Sequence, residues 1–309
     1  MNDLATFVHR IPLAALQAMI VDAGFPAELS GERLAFDGPY GPVEILVGEP
    51  PEPSFDELPL EAVVVVRTRL DPAAAGLAPR QQMNLNRLAA LGAIVVREGK
   101  PCVESRLAIG VGANPWGQYV GLMYHAALLA AAALDHAPAG EKLAPGAWPG
   151  GDLLEARRTL ERICVCTGDE EALSAEFSLR SGTGTAMAGD ERTALLQMRT
   201  FEAHPRLGPG LHVILELPHR FLDEDRLARV VGLLNAWEGE AADRPPHFGA
   251  WCNGQVRNPC YTMFLPASLR SDGLALDASA WMRSRALLAN GFLLAHGIRD
   301  DAGWMGEVH

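Results

Sequence analysis

Two stretches decide how this chain folds. The first is Gly92-Ala93-Ile94-Val95-Val96-Arg97-Glu98-Gly99-Lys100-Pro101-Cys102-Val103-Glu104-Ser105-Arg106-Leu107; the second is Gly249-Ala250-Trp251-Cys252-Asn253-Gly254, resumed at Pro259-Cys260-Tyr261-Thr262-Met263-Phe264-Leu265. Each opens on Gly-Ala, runs through β-prone residues, turns at a glycine and restarts on Pro-Cys, as a β-hairpin does. Gly92 and Gly249 lie 157 positions apart, Pro101 and Pro259 158. A turn absorbs a difference of one residue, so the two hairpins read as copies.

The flanks extend the match. EAVVVVRTRL (61–70) then PRQQMNLNRLAAL (79–91) gives a strand and a helix before the first hairpin; LHVILELPHR (211–220) then LDEDRLARVVGLLNAWE (222–238) gives the same before the second. Met83, Leu88 and Leu91 fall near one face of the first helix, and Leu227, Val230, Val231 and Leu234 on one face of the second. Asp223, Glu224 and Asp225 stand where carboxylates complement a helix start. After each hairpin a long helix is expected, opened by Asn114-Pro115-Trp116 in one half and by a Ser279 cap before Ala280-Trp281 in the other. Upstream, 11–25 and 152–164 read as helices, followed by strand candidates RLAFDG, VEILVG, EFSLRS and ALLQMRTF. The predicted fold is α+β: two tandem α-β-β-β-α-β-β-α modules, each an antiparallel sheet with helices packed on one side. The Pro- and Gly-rich stretch 136–151 divides a first module (1–135) from a second (152–309). Val63 to Val66 and Val213 to Leu215 are apolar without alternation, which implies burial on both faces, against the sister half, a second subunit or a client chain.

Composition narrows the function classes. Of 309 residues, 49% are hydrophobic and 21% charged, enough to bury a core. The net charge of -12 divides equally between residues 1–150 and 151–309 and includes no basic block, which argues against a nucleic-acid surface. The most apolar stretch, Val120 to Leu134, would span only ~22 Å as a helix, short of a ~30 Å membrane core. The N-terminus carries no signal-peptide pattern, and five cysteines are an odd number in a chain too large to need disulfide staples. A cytoplasmic, reducing setting is expected.

The element order, with Asn84-Leu85-Asn86 on the helix before the Gly92-Ala93 hairpin, resembles the YbjN-like and type III secretion chaperone-like superfamily. In the first half the resemblance covers most of 11–135. In the second Asn235 answers only one of the two asparagines, and a longer path leads to Gly249. The resemblance implies small α+β modules that dimerise through a helix or strand and bind a partner protein without catalysis. Two such modules in one chain would mimic that dimer internally, and a homodimer of the whole chain is a further option.

Catalytic and ligand motifs are weak. Cys164-Val165-Cys166 with Cys252 and Cys260 lacks the C-x2-4-C spacing of zinc sites, so packing thiols are expected and no metal. Gly110-Val111-Gly112-Ala113-Asn114-Pro115 has proline where a dinucleotide fingerprint needs glycine, and Ser181-Gly182-Thr183-Gly184-Thr185 has no following lysine, so no cofactor is expected. The enzyme alternative is a thiol-dependent or other hydrolase using Cys260 or Cys252, with His247 as a base. The long helices carry the expected partner or inter-module surface: Trp116, Leu122, Met123 and Leu128 on one, Trp281, Leu287 and Leu288 on the other.

Overall fold

In a computed structural model of the chain, the described residues are 13–22, 24–38, 41–48, 60–70, 76–90, 92–110, 148, 150–179, 192–204, 208–240, 247–267 and 272–301. The first half comprises α1 (Leu13–Asp22), β1 (Ala27–Ser30), β2 (Arg33–Gly38), β3 (Gly41–Gly48), β4 (Leu60–Arg69), α2 (Pro79–Ala89), β5 (Ala93–Arg97) and β6 (Lys100–Gly110). The second comprises α3 (Gly150–Leu160), β7 (Val165–Gly168), β8 (Ala172–Ser178), β9 (Thr193–Arg199), β10 (Gly210–Glu216), α4 (Glu224–Glu240), β11 (Ala250–Asn253), β12 (Pro259–Pro266) and α5 (Leu274–Ala295). The sheets run β1-β2-β3-β4-β6-β5 and β7-β8-β9-β10-β12-β11, antiparallel and identical in order.

The fold is α+β and tandem. Each sheet has one strand more than the sequence count, the four-residue β1 or β7 at its outer edge. Both are exposed along most of their length, so neither shows the apolar alternation that marks a strand.

The strands of the two hairpins match residue for residue. Arg97 pairs with Lys100 around Glu98 and Gly99, both at positive φ (52° and 74°), the conformation of a two-residue turn. In the second copy Gly254 N–H donates to the Asn258 carbonyl around three residues, with Arg257 at φ 57°. The offset therefore changes from 157 to 158 inside the turn. Leu70 N–H donates to the Pro101 carbonyl and Leu217 N–H to the Pro259 carbonyl, each at 3.0 Å, so the strands leading into α2 and α4 end identically.

The halves meet reciprocally. Arg106 and His247 exchange backbone bonds of 3.0 and 2.7 Å, while Phe264 N–H donates to the Ala90 carbonyl at 2.8 Å. Phe264 is the counterpart of Arg106, and Ala90 of His247, so the junction has an approximate two-fold relation. Arg80 of α2 reaches across to Glu224 and Asp225 of α4 (3.0 and 2.5 Å), so the acids that begin α4 also form exposed ion pairs with α2. Asp223 Oδ1 accepts the Asp225 N–H, which makes Asp223 the cap.

The larger core lies on one face of the second sheet, where Leu173, Leu196, Val213, Leu215 and Tyr261 are buried under α3 and α5 together with Leu227, Val231 and Leu234 of α4. Met83 and Ala90 of the first half enter the same core. A smaller core lines the first sheet, with Ile20 of α1 over Leu34, Ile45, Val64 and Val66.

Three expectations shift. Helix α5 begins at Leu274, not at a Ser279 cap: the Asp152 carboxylate of α3 accepts the Gly273 and Ala275 N–H groups at 3.1 Å, and Ser279 lies buried inside the helix. The end of the 136–151 stretch is structured, because α3 starts at Gly150 and the buried Trp148 indole donates to Asp152. The consecutive valines do not make a two-sided apolar sheet. Val64 and Val66 face the core, but on the opposite face Val65 lies between Leu46 and Arg106, next to Arg67 with its neighbours Glu44 and Glu104.

Candidate functional site

Strands β5 and β11 are the inner edges of their sheets, and an edge strand leaves a row of peptide groups unpaired. A buried asparagine meets each edge. Asn86 of α2 accepts the Ile94 N–H through Oδ1 at 2.8 Å. Asn235 of α4 accepts the Trp251 N–H at 2.8 Å and donates through Nδ2 to the Trp251 carbonyl at 3.0 Å. Ile94 and Trp251 are equivalent positions of the two hairpins. A carboxamide offers an acceptor and donors, so it can stand in for the missing strand, and Asn235 uses both functions.

An open groove of about 470 Å³ lies between α2, α4 and the edge of β5. Its walls are Met83 and Asn86 from α2, Ile94 and Val96 from β5, and Val231 and Leu233 from α4. Val96 is 47% exposed and Leu233 51%, high values for large apolar side chains beside a core. Gly232 also lines the groove, and a Cβ placed there would meet nothing within 4 Å. Gly239, two turns on, is different. A Cβ there would sit 2.7 Å from Glu104 and closer to Arg97, so the last turn of α4 rests on that ion pair.

A buried polar cluster joins α4 to α5. Arg285 donates through Nε to both Glu238 oxygens at 3.0 Å, His247 Nδ1 lies 2.7 Å from Glu238 Oε2, and the Arg285 guanidinium stacks 3.8 Å from the Tyr261 ring. All four side chains are at most 1% exposed. Burial pushes the Glu238 carboxyl up, but the Arg285 charge and the hydrogen bonds from His247 and Arg285 reverse this and hold it at about 2. Burial pushes the Tyr261 hydroxyl up, and it accepts the Gly249 N–H at 2.8 Å. Sealed from solvent, the cluster fixes the segment that carries the His247–Arg106 bridge.

Each sheet carries a polar cluster on the face opposite its helices. On the first, Glu44 takes Arg33 and Arg69, while the buried Glu104 takes Arg67 (2.7 Å) and Arg97 (2.8 Å). Desolvation raises the Glu104 pKa, and the Arg97 and Arg67 bonds outweigh it, so the carboxyl stays below its usual range. On the second, Glu202 Oε2 lies 3.1 Å from His212 Nδ1, and His212 Nε2 2.9 Å from the Thr262 hydroxyl. This is the order of an acid, a base and a nucleophile, but Thr262 is 4% exposed, which closes its hydroxyl to a substrate carbonyl.

Cys252 and Cys260 are buried, free and directly cross-strand. The Cys260 thiol is raised well above its ordinary value by its hydrogen bond with Cys252 and then by burial. Successive strand residues point to opposite faces. Tyr261 touches His247, so Cys260 faces away from it, and no Cys260–His247 dyad forms. Cys166 on β7 is four inter-strand steps from β12, which keeps Cys164 and Cys166 away from Cys252 and Cys260. Among the described residues no cluster of three or more His, Cys, Asp or Glu suits a metal, and no helix is long and apolar enough to cross a membrane.

Trp281 is half-buried and meets Phe248 edge-on at 6.0 Å, next to the junction where Phe248 accepts the Gly92 N–H. Leu287 is half-buried against the larger core, and Leu288 is half-buried. Trp116, Leu122, Met123 and Leu128, most of the glycine motif at 110–117, and the loop 181–185 lie outside the described residues. Sequence reasoning missed the groove and the roles of Asn86, Asn235 and Gly232. The available signal was a polar residue on the buried face of each amphipathic helix, standing at a different distance from its hairpin in each half.

No protein-family model matches this chain, and no curated protein or solved structure is significantly similar to it.

Proposed function

We propose that this chain is a non-catalytic protein-binding module and that the groove between α2, α4 and β5 receives a segment of a partner protein. The observation that carries this reading is the open 470 Å³ groove with half-exposed Val96 and Leu233 on its walls, a volume within the ~300–1,000 Å³ of binding sites. The resemblance to YbjN-like and type III secretion chaperone-like modules points the same way, with the two halves serving as an internal dimer in a cytoplasmic setting. The buried thiols and the sealed Glu238–His247 pair favour packing roles over catalysis.

Gly232→Trp tests the site. The indole fills the groove, and because the Cβ position is clear and glycine is a poor helix former, folding stability is expected to be kept or raised by up to ~1 kcal/mol. A partner held by the wild-type chain and lost at least about tenfold by Gly232→Trp, at unchanged melting temperature, supports the reading. Equal retention of every partner by the variant contradicts it.

A further inference from the structure

The groove has a direction and a chemistry as well as a volume. Ile94 N–H points away from β6, because it reaches the Asn86 side chain. Peptide groups along a strand repeat their direction every second residue, so those of Val96 also face outward, into the groove. Asn86 occupies the edge at Ile94 and blocks any strand from running further toward Gly92. The turn at Glu98 and Gly99 closes the other end. What remains is a short open edge centred on Val96.

Two arginines line this edge. Arg97 is held by Glu104. Arg229 is exposed on the wall from α4 and makes no ion pair with any described residue. The rim thus offers one available cation beside the exposed apolar side chains of Val96 and Leu233, over a floor that includes the buried Met83 and Val231.

We infer that the partner segment binds as a short extended strand against β5, exchanging main-chain hydrogen bonds with Val96, placing apolar side chains between α2 and α4, and setting a carboxylate at Arg229. This rests on the groove being the partner site. Main-chain pairing at an edge supplies affinity while flanking pockets select side chains, and a carboxylate–guanidinium bond is among the stronger polar contacts.

The test uses the intact chain and three capped pentapeptides: one alternating valine with aspartate, its lysine counterpart, and the aspartate peptide N-methylated at its central residue. The aspartate peptide is expected to bind at least about tenfold more tightly than either of the others, and Arg229→Glu to reverse the preference between aspartate and lysine. Saturation should slow exchange of the Val96 amide about tenfold or more. Absence of saturable binding of the aspartate peptide by ~1 mM, equal affinities for the three, or an unchanged Val96 amide overturns the strand mode. If these fail while Gly232→Trp still loses the partner, the groove stands and only its mode of use falls; if Gly232→Trp keeps the partner, both fall.

Discussion

The two sides of the junction share a backbone plan and differ in what they place on it. Where the second half has His247 and Tyr261, tied to Glu238 and Arg285, the first has Ala90 and Val103. Where Asn235 closes both peptide groups of Trp251, Asn86 is seen to hold only the N–H of Ile94. The second edge is clipped at Trp251, beside a sealed cluster of charge and aromatic packing, and the first is left with a groove at Val96. Duplication thus yields an internal pair in which one copy can anchor the fold while the other keeps an accessible edge.

The largest effect should come from breaking the sealed side. Arg285→Met leaves the Glu238 carboxylate buried without its guanidinium, and denaturant unfolding is expected to show a loss of about 3–5 kcal/mol. A loss under 1 kcal/mol would mean the cluster does not hold the junction.

The asparagines sharpen the comparison. Asn235→Ala strands a buried donor and a buried acceptor, for about 2–4 kcal/mol, whereas Asn86→Ala strands one donor, for about 1–2 kcal/mol. Equal losses in urea midpoint-derived stability would erase the difference between the edges.

Glu238 also predicts a pH dependence. Its folded pKa of about 2 lies below the ordinary 4.5, so its contribution is fully present above about pH 4.5 and is lost as pH falls toward 2. Stability should decline by a few kcal/mol across that window, and the slope should flatten in Glu238→Gln. The smallest effect is at Gly232→Ala, which should raise the melting temperature slightly, in line with up to ~1 kcal/mol of helix propensity. A clear loss there would show that the helix needs the glycine for packing.

The hairpins carried the fold into view because their Gly-Ala and Pro-Cys punctuation survives in both copies, and the 157-to-158 offset falls in the turn that changes length. The face of α4 was legible in Leu227, Val230, Val231 and Leu234, all buried. Strands β1 and β7 were not, because their outer-edge side chains face solvent. Helix α5 was misplaced by a turn and a half because its cap, Asp152, comes from α3, 121 residues before Gly273. The site was least legible. Asn86 reaches eight residues along the chain and Asn235 sixteen, so no shared spacing links the two clips. Arg285 meets Glu238 across 47 residues. Asn84-Leu85-Asn86 stands out in the sequence as a pattern, yet only packing shows that Asn86 blocks an edge.

The most direct test is amide hydrogen exchange of the free protein at Val96 and Trp251. With β11 closed at Trp251 by Asn235 and β5 open at Val96, the Val96 amide is expected to exchange at least about a hundredfold faster than the Trp251 amide. Equal protection of the two would contradict the account, since it would mean that the Val96 peptide group is as closed as the one Asn235 holds.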